Sequence, residues 1–155
     1  MNRFFNLLCL VFTLSVGTVF AQSEEDREMI QELLRQAEEV KEVSHDSALQ
    51  MGQRAELMSR NFGFEDQVYE ALALQGFIYQ RMGRLDEALD FQLKVLAYNK
   101  KSGHDKKLIG SYNDVGMLFF DIGNYEKSRS YLQKAIELSN EIADFAGAKI
   151  SLMNM

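Results

Sequence analysis

The chain of 155 residues has no proline, no tryptophan and one cysteine. An average protein of this length would carry roughly eight prolines. Their absence excludes proline-rich linkers and leaves helices without a built-in breaker. A lone cysteine excludes a disulfide framework and a cysteine cluster for zinc. Basic charge is also short: 17 Lys and Arg stand against 23 Asp and Glu, giving a net charge of −6. That balance argues against a nucleic-acid binder, which needs a basic surplus to displace phosphate counterions. The two histidines, His45 and His104, lie far apart, and no phosphate-cradling glycine loop occurs. No metal set with normal spacing follows from them. Ser44-His45-Asp46 contains the letters of a hydrolytic triad, but adjacent residues cannot form the nucleophile–base–orienter chain. The plain reading is a turn between helices. The expectation is a non-catalytic protein without a cofactor. Composition, at 46% hydrophobic and 26% charged residues, is that of one folded domain.

Residues 1–21, MNRFFNLLCLVFTLSVGTVFA, have a positive start at Arg3, a mostly apolar stretch and a terminal Val19-Phe20-Ala21. This is the layout of a cleaved secretory signal. As an uncleaved anchor the stretch is short, since a bilayer span needs about 20 apolar residues. Cys9 follows bulky Leu8 and sits inside the apolar run, so it does not fit lipid attachment. A mature chain from Gln22 would lack cysteine, which suits an oxidising compartment. The expected location is the periplasm or the cell exterior, with no membrane contact by the mature domain.

The rest of the chain repeats. Gly63 and Gly103, Gly76 and Gly116, and Gly83 and Gly123 are each 40 residues apart. The segments 72–96 and 112–136 keep size and polarity in register: Leu72 with Tyr112, Tyr79 with Phe119, Ala88 with Ser128, Phe91 with Tyr131, Val95 with Ala135. Apolar spacings of three and four over 68–81 and 85–99 predict two helices per unit. Gly83 and Gly123 predict the turns between them, followed by acidic first turns at Asp86-Glu87 and Glu126. No segment alternates as a strand would. Upstream, 26–43 carries one apolar stripe without the glycine signature, as an atypical capping unit would. The acidic run 23–26 reads as a helix start. The expected organisation is a signal segment at 1–21, a capping helix pair at 22–62, repeats at 63–102 and 103–142, and the first helix of an incomplete repeat at 143–155.

Leu72-x-x-Gln75-Gly76-x-x-Tyr79 with Ala88, and Tyr112-x-x-Val115-Gly116-x-x-Phe119 with Ser128, resemble the tetratricopeptide repeat. The resemblance covers about 45–155. It departs from the family in Gln75 before glycine, in lacking a closing proline, and in a 40-residue rather than 34-residue period. Such long repeats resemble those of bacterial sensory and peptide-receptor proteins. The resemblance implies an all-α, right-handed superhelical stack of antiparallel hairpins. Leu72, Gly76, Tyr79, Gly83, Ala88, Tyr112, Gly116, Phe119, Gly123, Ser128 and Ala135 are then the packing positions. It also implies a groove, lined by the first helix of each unit, that holds a peptide or protein partner.

First-helix positions facing away from the second helix are the groove candidates: Phe77, Gln80 and Arg81, with Ala73 and Leu74; Asn113, Asp114, Met117, Phe120 and Asp121; and Asn154. Amides and carboxylates there could bond a ligand backbone, and Phe77, Met117 and Phe120 could form apolar pockets. Each also has a plain use: the apolar trio as core, Asn113 and Asp114 as solvated or capping residues. The methionines most simply fill core gaps. Because the sequence stops in mid-repeat, the expectation is the N-terminal part of a longer protein, with an open apolar edge that could pair two copies. Three functional readings follow: a sensory or docking part of a signalling protein, a scaffold that assembles complexes, or a piece of an enzyme whose catalytic domain lies further on.

Overall fold

The computed structural model describes residues 23–143 and 145–155. The expected signal segment and Cys9 lie outside the described residues. Helix α1 covers 23–40 of them, followed by α2 (His45–Phe62), α3 (Glu65–Arg81), α4 (Leu85–Ser102), α5 (Asp105–Asp121), α6 (Tyr125–Glu141) and α7 (Phe145–Asn154). No strand occurs among the described residues. Each of the helices α2 to α7 packs on its sequence neighbours, and α5 also touches α7. The architecture is the all-α stack of antiparallel hairpins expected from the repeat, a tetratricopeptide-like solenoid.

The glycines set the turns. Gly83 takes φ +74°, its N–H donates to Gln80 O at 2.9 Å, and the next N–H, of Arg84, donates to Tyr79 O at 2.9 Å. Gly123 and Asn124 repeat these bonds onto Phe120 and Phe119, both at 2.8 Å. This left-handed cap satisfies carbonyls that the helix end leaves open, and a side chain there would clash with its own backbone. Ser44-His45-Asp46 is a helix start: the Ser44 side chain accepts from Ser47 N, and Asp46 lies in the acidic first turn of α2. Asn124 caps α6 in the same way, accepting from Lys127 N at 3.1 Å.

Close approach within a hairpin depends on the other glycines. A Cβ on Gly76 would lie 3.2 Å from Phe91 Cβ, and one on Gly116 would lie 2.9 Å from Leu132 Cγ. Above these contacts the aromatic pairs recur in register. Tyr79 and Phe91 stack with centroids 5.3 Å apart, and Phe119 and Tyr131 at 5.5 Å. Ala88 packs with Tyr79 and with Leu118 of the next hairpin, so the core runs continuously between units. A hairpin with one apolar face has no other way to bury it. Several buried polar residues on the second helices are satisfied internally. The Ser59 and Ser139 hydroxyls donate to the carbonyls four residues back, and Asn99 donates to Ser111 Oγ at 2.8 Å. In α7, Ala148 and Ser151 are buried, while Ile150, Leu152 and Met153 are exposed. No described helix is long and apolar enough to cross a membrane.

Candidate binding groove

The first helices α1, α3, α5 and α7 form one face of the stack, and cavities run along it. One of about 520 Å³ lies between α1 and α3 and reaches α5; its walls include Leu34, Lys41, Ala73, Phe77, Gln92 and Asp114. A second, of about 370 Å³, lies between α5 and α7 and is lined by Asn113, Asp114, Met117, Ile150 and Asn154 among others. A narrower one of about 190 Å³ joins α3, α4 and α5 around Tyr69, Tyr98 and Asp114. Asp114 therefore lies on the walls of all these cavities. Its carboxylate sits where the hollow of the groove is shared between neighbouring repeats.

The face is tied together by polar bridges that join first helices about one repeat apart. Gln67 donates to Arg27 O at 2.9 Å, and Arg81 pairs with Glu42 at 3.2 Å. Lys107 pairs with Glu70 at 3.4 Å, and Gln80 donates to Asp121 at 2.6 Å. The two exposed ion pairs among these bridges each contribute about 0–1 kcal/mol, so they set register more than stability. Beside the groove, Tyr98 donates to Asp66 and stacks on Tyr69 at 3.8 Å between centroids. The hydrogen bond holds Asp66 below the usual carboxylate range and pushes the Tyr98 hydroxyl up to about 12.

Asp114 is the exception among these charges. Water reaches it, yet the surrounding walls displace much of its solvent, and this desolvation pushes its carboxyl up to about 6. Among the described residues, nothing donates to it. Two amide oxygens nearby are also without donors. Gln92, 4% exposed, donates to Ala73 O at 3.2 Å but leaves Oε1 unpaired, and Asn113, 7% exposed, leaves Oδ1 unpaired.

The residues proposed from sequence fall into distinct places. Phe77, Gln80, Asp114, Asn113, Met117 and Asn154 line the cavities, as do Ala73 and Leu74. Phe77 is half-buried under the ammonium of Lys41, which stands 4.2 Å over its ring. Arg81 and Asp121 are occupied in the bridges to Glu42 and Gln80 at the end of the helices. Phe120 is 50% exposed and packs edge-on to Tyr125 at 5.4 Å. Sequence reasoning missed the contribution of α1 through Gln31, Leu34, Arg35, Glu38 and the following Lys41. It also missed Gln92, which reaches the groove from a second helix. A signal for Gln92 existed: an amide stands on a buried helical face where the next repeat has Leu132. Among the described residues no group of acidic, histidine or cysteine side chains could hold a metal ion.

Comparison with known proteins agrees with the geometry. Residues 67–141, from the first turn of α3 to the end of α6, match the tetratricopeptide repeat family. Among solved structures, the chain is similar to the tetratricopeptide repeat domain of FLU from Arabidopsis, with 18% identity and a TM-score of 0.66 over 72% of this chain and 95% of that one. It is also similar to BtubC from P. vanneervenii, with 19% identity and a TM-score of 0.50 over 79% of this chain and 57% of that one. These likenesses are of fold. No curated protein sequence matches the chain. Tetratricopeptide repeat domains generally mediate protein–protein interaction.

Proposed function

We propose that the protein is a non-catalytic module that holds a peptide segment of a partner in the groove between α1, α3, α5 and α7. The observation that carries this reading is the row of cavities along the first helices, all sharing Asp114. Their apolar walls would take side chains, and the polar groups between them would take backbone. The direct test is selection of twelve-residue peptides from a random displayed library against the full chain. Binders are then measured on Ala73→Trp, which fills the groove at a residue shared by two cavities. At least a tenfold loss of affinity is expected, with circular dichroism unchanged. Binders that keep their affinity for Ala73→Trp contradict the reading.

The layout of residues 1–21 supports export, with the module acting outside the cytoplasm as the sensory or docking part of a signalling protein. Fusing residues 1–30 to a reporter that is active only outside the cytoplasm should give active reporter; an inactive, cell-retained fusion contradicts export. The exposed Ile150, Leu152 and Met153 of α7 support pairing of two copies through that edge. Light scattering at rising concentration should then show dimer, and a clean monomer contradicts the pairing.

A further inference from the structure

We infer that the groove selects a peptide carrying a lysine or arginine, whose cationic head seats at Asp114. The inference rests on the groove reading and names the chemistry of its occupant.

Other charges around the groove have partners of their own. On α1, Arg35 pairs with Glu32 and Glu39, and Lys41 after it pairs with Glu38. Between α3 and α5, Glu70 pairs with Lys107. On α3, Asp66 accepts from Tyr98 of α4. Each of these groups has a counter-charge or a donor of its own. Lys106, on the wall between α5 and α7, stands two helical turns from Asp114, about 12 Å along the axis. No basic side chain approaches Asp114 as an ion-pair partner among the described residues.

The buried side-chain atoms left without a partner on these cavity walls are both acceptors. They are Gln92 Oε1 and Asn113 Oδ1, and the Asp114 carboxylate, which water reaches, has no protein donor among the described residues. Gln92 lies on the wall of the cavity on one side of Asp114, and Asn113 on the wall of the cavity on the other. Leaving a buried acceptor unpaired is costly, and a group with several donors and no acceptor relieves that cost. An ammonium offers three N–H donors and a guanidinium five. A carboxylate or phosphate offers none and would be repelled. The apolar stem of Lys or Arg would also lie well along Ala73, Leu74 and Phe77. The net charge of −6 favours approach of a basic partner over an acidic one.

Protonation gives the reading a second handle. The cation needs Asp114 ionised, and desolvation by the cavity walls pushes its carboxyl up to about 6. Binding is then fully supported above that value and weakens as the carboxyl takes up its proton. His104 sits close enough to Asp66 to influence it, and His104→Gln is the control for its contribution.

The test uses the groove-dependent peptides, those whose binding is lost on Ala73→Trp. They are expected to share a Lys or Arg. Replacing that residue with norleucine should weaken binding about tenfold or more, the range of a hydrogen bond to a charged group. On Asp114→Asn the lysine and norleucine peptides should bind alike. Affinity should fall about tenfold from pH 7 to pH 5 for the original chain and for His104→Gln, and stay level for Asp114→Asn. Groove-dependent peptides without a basic residue, or a lysine preference that survives Asp114→Asn, overturn the assignment and leave the groove reading standing. A library that yields only groove-independent binders, or no binders, overturns both.

Discussion

The hairpins α3–α4 and α5–α6 have the same backbone and differently built interiors. At equal register, Gln75 and Gln92 of the first stand where Val115 and Leu132 stand in the second. All are buried: Gln75 at 1%, Gln92 at 4%, Val115 at 0% and Leu132 at 1% exposure. Gln75 donates to Glu56 Oε2 at 2.8 Å, which ties α3 to α2. Gln92 is satisfied only on its donor side. The second hairpin has no such amides at these positions, and its Gly116 is pressed directly against Leu132. The glycine, the aromatic pair and the left-handed turn are common to both. The lesson is that size and backbone freedom define the repeat, while polarity in the inner layer varies as long as a partner is near. Where the partner is missing, at Gln92, the amide lies on the wall of the groove.

The largest difference between the two interiors is expected at Leu132. Leu132→Ala should lower stability by about 2–5 kcal/mol in chemical denaturation, because the side chain is fully buried against Gly116. Gln92→Ala should cost clearly less. A cost equal to that of Leu132→Ala would mean that the two interiors are energetically alike.

The two glycines should differ next. Gly116→Ala puts a methyl 2.9 Å from the branched end and Cγ of Leu132. Even after the helix-propensity gain, a net loss of about 1–2 kcal/mol is expected. At Gly76 the contacts are looser, 3.1 Å to the Gln92 amide tip, which can move, and 3.2 Å to Gln92 Cγ and Phe91 Cβ. Gly76→Ala should therefore be the milder change in thermal denaturation, and the reverse order would contradict this reading of the contacts.

Gln92→Leu makes the first interior like the second. Removing the unpaired oxygen should raise stability by about 1 kcal/mol, and it should weaken binding of a basic peptide. A destabilised variant would show that Gln92 is better satisfied than its bonds indicate.

The smallest effect lies at the hairpin exits. The first repeat leaves through Gly103 at φ +71°, and the second leaves through Ala143, an alanine held at φ +54°. Ala143→Gly should relieve that conformation and raise the melting temperature, by about 0.5–1 kcal/mol of stability. No change would mean that the alanine sits there without strain.

Much of the fold was legible because its determinants are local and repeated. Glycines 40 residues apart and apolar residues at helical spacing foretold α3 to α6 and their turns. The groove was legible in part. Which first-helix residues line it follows from helical phase, and Asp114 and Met117 follow that phase. The burial of Asn113 was not legible, because it depends on how neighbouring repeats stack, which the periodicity alone does not supply. The part played by α1 was hidden for a related reason. Without the glycine signature its register against α3 could not be counted, and its Gln31, Leu34 and Lys41 reach the groove through packing alone. Ala143 continues the series of Gly63 and Gly103, so its left-handed turn could have been read by extending the count once more.

The central claim is that the partner lies against the first helices. The most direct measurement is to label the full chain with nitrogen-15 and carbon-13 and titrate it with a selected lysine-containing peptide, following amide and carboxyl signals by nuclear magnetic resonance. The account predicts that the perturbed residues follow α1, α3, α5 and α7, with the Asp114 carboxyl shifting most and titrating below 6 in the complex. Perturbations confined to α4 and α6, with the Asp114 titration unchanged, would contradict it.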